Sequence, residues 1–252
     1  MHITYSTEPA PIPGRRNEDY VIAGPDWIAV LDGATAPAGV DSGCIHDVPW
    51  LVAQLGGALG HGLATRPGAA LVGILADGIR AVMAAHEDTC DLTNVDSPSS
   101  TVAAVRRRGE LVDYLVLCDS PIALVGANGA LTMIDDDRTD HLPGGRPYSL
   151  ELVQSLRNQP GGFWVASTKP EAAYALRGSV SAETLSGILM VTDGVTRLIE
   201  WYGHTWEQLM ETVAKAGPGQ LIAQVRSAEL DHGPMNGGRR HDDATAACPG
   251  SP

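Results

Sequence analysis

Apolar residues recur every three or four positions over residues 46–64 and again over 68–87, as in LVGILADGIRAVMAAHE. This spacing predicts two amphipathic helices, separated by Arg66-Pro67-Gly68. Strand-like patterns lie on either side of them. Between Tyr20 and Asp32 the run YVIAGPDWIAVLD predicts two short strands around the Gly24-Pro25-Asp26 turn, the second ending in an acidic residue. Residues 101–107, 111–117, 122–126 and 130–134 are rich in β-formers and punctuated by Arg108-Gly109 and Asn128-Gly129, which predicts an antiparallel meander. A helix over 149–158, a strand over 187–192, helices over 206–216 and 220–229, and a last strand over 244–248 complete the reading. Strands, a helix pair, a meander and then mixed elements, without regular βαβ alternation, predict an α+β fold with antiparallel sheets. No internal repeat or linker interrupts the chain, so residues 1–252 are expected to form one domain.

Charge narrows the function classes. Seventeen basic residues stand against thirty acidic ones, a net charge of −13, which disfavours nucleic acid as a partner and suits divalent cations. No run approaches the roughly 20 apolar residues that a membrane span needs. Met1-His2-Ile3-Thr4-Tyr5 lacks a basic leader pattern, so a cytoplasmic protein without membrane attachment is expected. Cys44, Cys90, Cys118 and Cys248 form no C-x-x-C pair and are expected to be buried free thiols. His86 and Cys90 share a helix face at i,i+4 spacing, for which ordinary packing is the expectation.

Three acidic signatures carry the candidate chemistry: Val30-Leu31-Asp32-Gly33, Met190-Val191-Thr192-Asp193-Gly194 and Asp242-Asp243-Ala244-Thr245. A strand fixes where its terminal carboxylate points, and a following glycine leaves room for a backbone carbonyl to turn toward an ion. Hard Mg²⁺ or Mn²⁺ prefers such oxygen ligands. A single Asp-Gly is ordinarily a hairpin turn, but two after strands, joined by an Asp-Asp-x-Thr, point to a metal site.

These signatures belong to a longer ordered set. Arg15-Arg16-Asn17-Glu18-Asp19, Ala29–Gly33, Ser99–Ala103, Leu115–Ser120, Ile188–Gly194 and Asp242–Thr245 resemble, in order, the motifs of the metal-dependent PPM/PP2C serine/threonine phosphatases. The resemblance implies a β-sandwich flanked on each side by helix pairs, in α-β-β-α layers, with a site for two Mg²⁺ or Mn²⁺ ions at one end. It implies that Asp32 bridges both ions, that the Gly33 carbonyl and Glu18 serve one, and that Asp193 and Asp242 serve the other. Asp119 is placed at an outer metal position, and Arg15 or Arg16 at the substrate phosphate. The implied reaction is hydrolysis by metal-activated water, on a phosphorylated protein or a small phosphoester.

The chain departs from the family pattern at four places, one of them Asp32-Gly33-Ala34-Thr35, which lacks the further glycines that commonly follow. Gly14 stands where the phosphate-binding arginine is usual, Cys118 replaces the glycine of Gly-Asp, and Arg197 replaces the second carboxylate of D-G-x-x-D, so no third ion is expected. Arg197 also motivates the alternative of a catalytically silent relative that binds a phosphorylated partner. Asp135-Asp136-Asp137-Arg138-Thr139 fits the D-x-D-x-T signature of haloacid-dehalogenase-like phosphatases, but without the surrounding βαβ pattern it is expected to be a solvated acidic turn. Serine-hydrolase, P-loop and Rossmann signatures are absent.

Overall fold

The computed structural model of the protein describes residues 1–170, 174–235 and 239–250. Its central strands are largely buried on both faces, which is why they carry apolar runs such as WIAVL and ILMV. In β3 (Trp27–Leu31) every residue is buried. Trp27, Ala29 and Leu31 turn to one face and Ile28 and Val30 to the other. This strand pairs antiparallel with β2 (Tyr20–Ala23) and with β6 (Val102–Arg108). The sheet continues through β7 (Leu111–Leu117) to β10 (Leu176–Ser181). A second sheet has the order β1 (Ile3–Glu8), β12 (Ala244–Pro249), β11 (Leu185–Val191), β8 (Ile122–Gly126), β9 (Leu131–Ile134). Short β4 (Gly33–Ala34) and β5 (Ser99–Ser100) form a separate antiparallel pair.

The sheets face each other through Ile28, Val30, Ala103 and Val105 of one and Ile122, Leu124, Ile188 and Met190 of the other. Burial of such side chains contributes about 1.5–3 kcal/mol each. Helices α1 (Val48–Thr65) and α2 (Leu71–His86) cover the outer face of the first sheet with Leu51, Leu55, Leu59, Ile74, Leu75 and Ile79. Asp47 caps α1, its carboxylate accepting from the Trp50 amide at 3.0 Å. A short α3 (Leu150–Leu156) packs with Leu142, Phe163 and Val165 in a satellite cluster. Over the second sheet lie α4 (Asp193–Glu200), α5 (Trp206–Ala216) and α6 (Gly219–His232). The layers are therefore α-β-β-α, with a helix pair on one side and three helices on the other.

Several expectations are corrected. The predicted meander is two hairpins in different sheets: β6 and β7 belong to one, β8 and β9 to the other. The chain crosses between sheets over residues 118–121, where Cys118 adopts φ +66°. That left-handed conformation suits glycine and costs another residue about 1–3 kcal/mol, which explains why Cys118 is the unusual residue there. Edge strands β1 and β10, of sequence ITYSTE and LRGSVS, lack an apolar run because each is only partly buried. Of the four cysteines, Cys118 and Cys248 are free, but Cys44 and Cys90 form a disulfide. Among the described residues, no helix is long and apolar enough to cross a membrane.

Candidate active site

The three acidic signatures converge because each lies next to a strand end at the same edge of the sandwich. Asp32 follows β3, Asp193 opens α4 directly after β11, and Asp242 precedes β12. The Asp193 amide faces Asp32 Oδ2 at 3.4 Å. The backbone of Asp32 is held on both sides by Thr101, whose hydroxyl accepts from the Asp32 amide at 3.3 Å and whose amide donates to the Asp32 carbonyl at 2.8 Å. Thr101 and Ser120 share a further 2.6 Å hydroxyl contact, tying β6 to the crossing segment.

The N-terminal motif closes the ring. The Gly33 amide donates to the Glu18 carbonyl at 3.1 Å, and the Glu18 amide donates to Asp243 Oδ2 at 2.7 Å. Asp243 Oδ1 also accepts from the Ala10 amide at 2.7 Å. Asp243 is thus a strut that fixes Glu18 beside Gly33. The two glycines serve close approach: a Cβ on Gly33 would lie 2.2 Å from Val48 Cγ1, and one on Gly194 would lie 1.9 Å from the Asp243 carbonyl oxygen. Gly194→Ala is expected to cost about 3 kcal/mol, because backbone rather than a movable side chain fills the space. Urea unfolding at fixed metal concentration measures it, and an unchanged midpoint would contradict this packing.

Carboxylates outnumber cations here. Burial, then Asp193, Asp19, Asp119 and Asp242, push the Asp32 carboxyl well above its usual range. Burial, then Asp242 and Asp119, push Asp193 up to about 7. Asp193 is open to solvent at the mouth of the cleft while protein atoms crowd it from below. Asp119 and Glu18 are raised, burial again leading. Asp19, 4% exposed, is raised to about 8 by burial. Its Oδ2 accepts from Thr192 at 2.9 Å and Thr245 at 2.7 Å, but its buried Oδ1 has no hydrogen-bond partner among the described residues. Such crowding of carboxylates with an unpartnered buried oxygen fits a site that divalent cations complete. Asp19 stands in the N-E-D motif, but local sequence carries no signal of this role, because its threonine partners lie far along the chain.

The family described as Protein phosphatase 2C matches residues 13–228 of this chain. The chain belongs to this family. Its members are metal-dependent phosphatases, and their fold recurs here. The Mycobacterium tuberculosis serine/threonine phosphatase PstP/Ppp aligns with a TM-score of 0.62 at 17% identity, over 98% of this chain and 97% of that one. The PstP catalytic domain in complex with 2 manganese ions gives 0.59 at 18% identity, over 98% and 96%. Staphylococcus aureus Stp1 gives 0.65 at 12% identity, over 98% and 93%. No curated protein matches the sequence.

Against the protein phosphatase 2C pattern, the two candidate arginines separate. Arg15 faces the cluster, with Nη2 3.6 Å from Glu18 Oε2 and Nε 3.9 Å from Asp243 Oδ1. Arg16 points outward and pairs with Asp47 at 2.6 Å, 66% exposed. Arg197 turns into the acidic cluster: Nη2 lies 2.5 Å from Asp242 Oδ2, Nη1 lies 3.4 Å from Glu229 Oε1, and the guanidinium stacks on Trp201. The Asp135–Thr139 stretch is solvated at Asp135 and Asp137, as a surface turn requires, but not at Asp136. Asp136 is buried, accepts from the Cys118 amide at 2.9 Å and pairs with Arg138, so it supports the crossing segment. Asp135, raised to about 6 by burial and then Asp119, lines a cavity of about 270 Å³ with Asp119, Asp193 and Thr196.

Proposed function

We propose that this protein phosphatase 2C relative removes phosphate from phosphoserine or phosphothreonine in proteins, as a single domain. Asp32, Gly33, Glu18, Asp193 and Asp242 would hold two Mg²⁺ or Mn²⁺ ions, with Asp119 at the outer edge. The observation that carries this reading is the convergence of the acidic motifs into one under-neutralised cluster. When bound, such ions supply Lewis acidity toward a phosphoryl oxygen and acidify water. The chain's own residues do the positioning. Thr101 and the Asp193 amide fix Asp32, Asp243 fixes Glu18, and Arg15, beside Glu18, would meet the phosphate oxygens. The open cleft favours a phosphorylated protein segment over a small phosphoester, which a closed pocket would suit better. We further propose a cytoplasmic location, where thiol reductants would keep Cys44 and Cys90 in the dithiol form.

Release of inorganic phosphate from a phosphoserine peptide in Mn²⁺ is the direct test, and chelator is expected to abolish it. Undiminished turnover in excess chelator would overturn the assignment. The same sample has a signed pH dependence. Asp193 keeps its proton up to about 7 in the folded chain and Asp19 up to about 8, whereas both lose it near 4 when unfolded. Metal-free stability is therefore expected to fall as pH rises from about 4 to about 8. Cations bind the deprotonated carboxylates, so the gain in melting temperature on adding Mn²⁺ should grow over that range. A gain independent of pH would exclude these carboxylates as the binding groups.

A further inference from the structure

Away from the acidic cluster, the segment after β4 meets the C-terminal end of α2 at Cys44, His86 and Cys90. The two Sγ atoms and the His86 ring nitrogen lie within 4.8 Å of one another. The Cys90 amide donates to the His86 carbonyl at 3.0 Å, continuing the helical turn so that both side chains face Cys44. His86 is 3% exposed. Its Nδ1 lies 3.6 Å from Cys44 Sγ, and its Nε2 is buried with no hydrogen-bond partner among the described residues. The nitrogen turned toward the cysteines, Nδ1, thus has sulfur as its neighbour, a pairing that suits imidazole and thiolate as ligands of one ion.

The residue set does fit a soft metal ion, for which thiolate and imidazole are the preferred ligands. With Zn–S near 2.3 Å and Zn–N near 2.0 Å, two ligands of one tetrahedral ion stand about 3.6 Å apart. Cys44 Sγ and His86 Nδ1 already have that separation.

We propose that Cys44, Cys90 and His86 form a second metal site, for a thiophilic divalent cation such as Zn²⁺, when the two cysteines are reduced. A dithiol reductant breaks the Cys44–Cys90 S–S bond, delivers two electrons and two protons, and is itself oxidised to a disulfide. Ion binding then releases both thiol protons to solvent. Three protein ligands would leave one position for water; His46 is a neighbour of the cluster, its ring centroid 6.2 Å from that of His86. Disulfide and metal are alternative clamps on the same segment. That segment carries Thr35, which hydrogen-bonds Glu18, and its Val40, Ser42 and His46 share a cavity with Glu18. The clamp therefore sets one wall of the candidate active site, but the metal proposal does not depend on the phosphatase reading.

The test is a Co²⁺ titration of the reduced full-length protein, with excess Mg²⁺ occupying oxygen-ligand sites. One equivalent should produce a thiolate-to-cobalt charge-transfer band and strong tetrahedral visible bands, both displaced by Zn²⁺; the oxidised protein should show neither. Cys44→Ser and Cys90→Ser should lose the charge-transfer band. His86→Gln should weaken Co²⁺ binding by at least about tenfold, the cost of losing even an outer partner. Independently of any variant, one equivalent of Zn²⁺ should protect Cys44 and Cys90 of the reduced wild type from alkylation. The proposal is overturned if the reduced protein shows no charge-transfer band. It is also overturned if the band survives in the Cys44→Ser/Cys90→Ser double variant, or if dithiothreitol leaves the native disulfide intact.

Discussion

Asp32→Asn is expected to lower kcat on a phosphoserine peptide by roughly 10³-fold or more, while raising the stability of the metal-free protein. The first effect follows from its place at the centre of the cluster. Lewis-acid stabilisation is worth several kcal/mol, and each 1.4 kcal/mol is about tenfold in rate. The second follows from the raised Asp32 carboxyl. The folded chain must ionise a group that burial, Asp193 and Asp19 all hold protonated, so its carboxylate opposes folding above the ordinary carboxylate range. Asparagine keeps the shape and removes the charge. Chelated wild type and variant should therefore melt alike near pH 4, with the variant melting higher near pH 8. Activity assays and thermal melts on one preparation check both effects. Full activity in the variant sinks the site assignment, and a lower metal-free melting temperature at pH 8 sinks the electrostatic account.

Arg197→Met is expected to destabilise the fold by about 3–5 kcal/mol, the usual cost of removing one partner from a buried ion pair. Arg197 is 5% exposed and Glu229 is fully buried. Without the arginine, Glu229 keeps Arg226 at 3.0 Å and His241 at 2.7 Å, but Asp242 loses its cation. The melting temperature without metal should fall by on the order of 10 °C for a chain of this size. Mn²⁺ should restore part of the loss, because freeing Asp242 returns a carboxylate to the cation site. Tighter Mn²⁺ binding in the variant would show that Arg197 competes with metal at Asp242. Unchanged Mn²⁺ affinity would leave Arg197 a purely structural partner and remove Asp242 from the ligand set.

Most elements were legible because burial imposes periodicity. The helices over α1 and α2 show three- and four-residue spacing, and β3, β7 and β11 show runs long enough to fill a doubly covered sheet. The edge strands β1 and β10 were not legible, since a half-exposed strand tolerates Ser, Thr, Glu and Arg. Nor was the exchange of sheets at Cys118, because local pairing signals say that two strands form a hairpin without saying which sheet receives it.

The sequence by itself determined the family, the α+β class and the acidic motifs, because each is written in short stretches whose order the chain preserves. Tertiary structure alone decided how those stretches act on one another. It separated Arg15 from Arg16, placed Arg197 on Asp242, made Asp243 the strut for Glu18 and joined Cys44 to Cys90. The physical reason is that charge interactions, steric fit and sulfur chemistry depend on distance in space. Partners such as Asp19 and Thr245 are 226 residues apart in the chain and 2.7 Å apart in the fold.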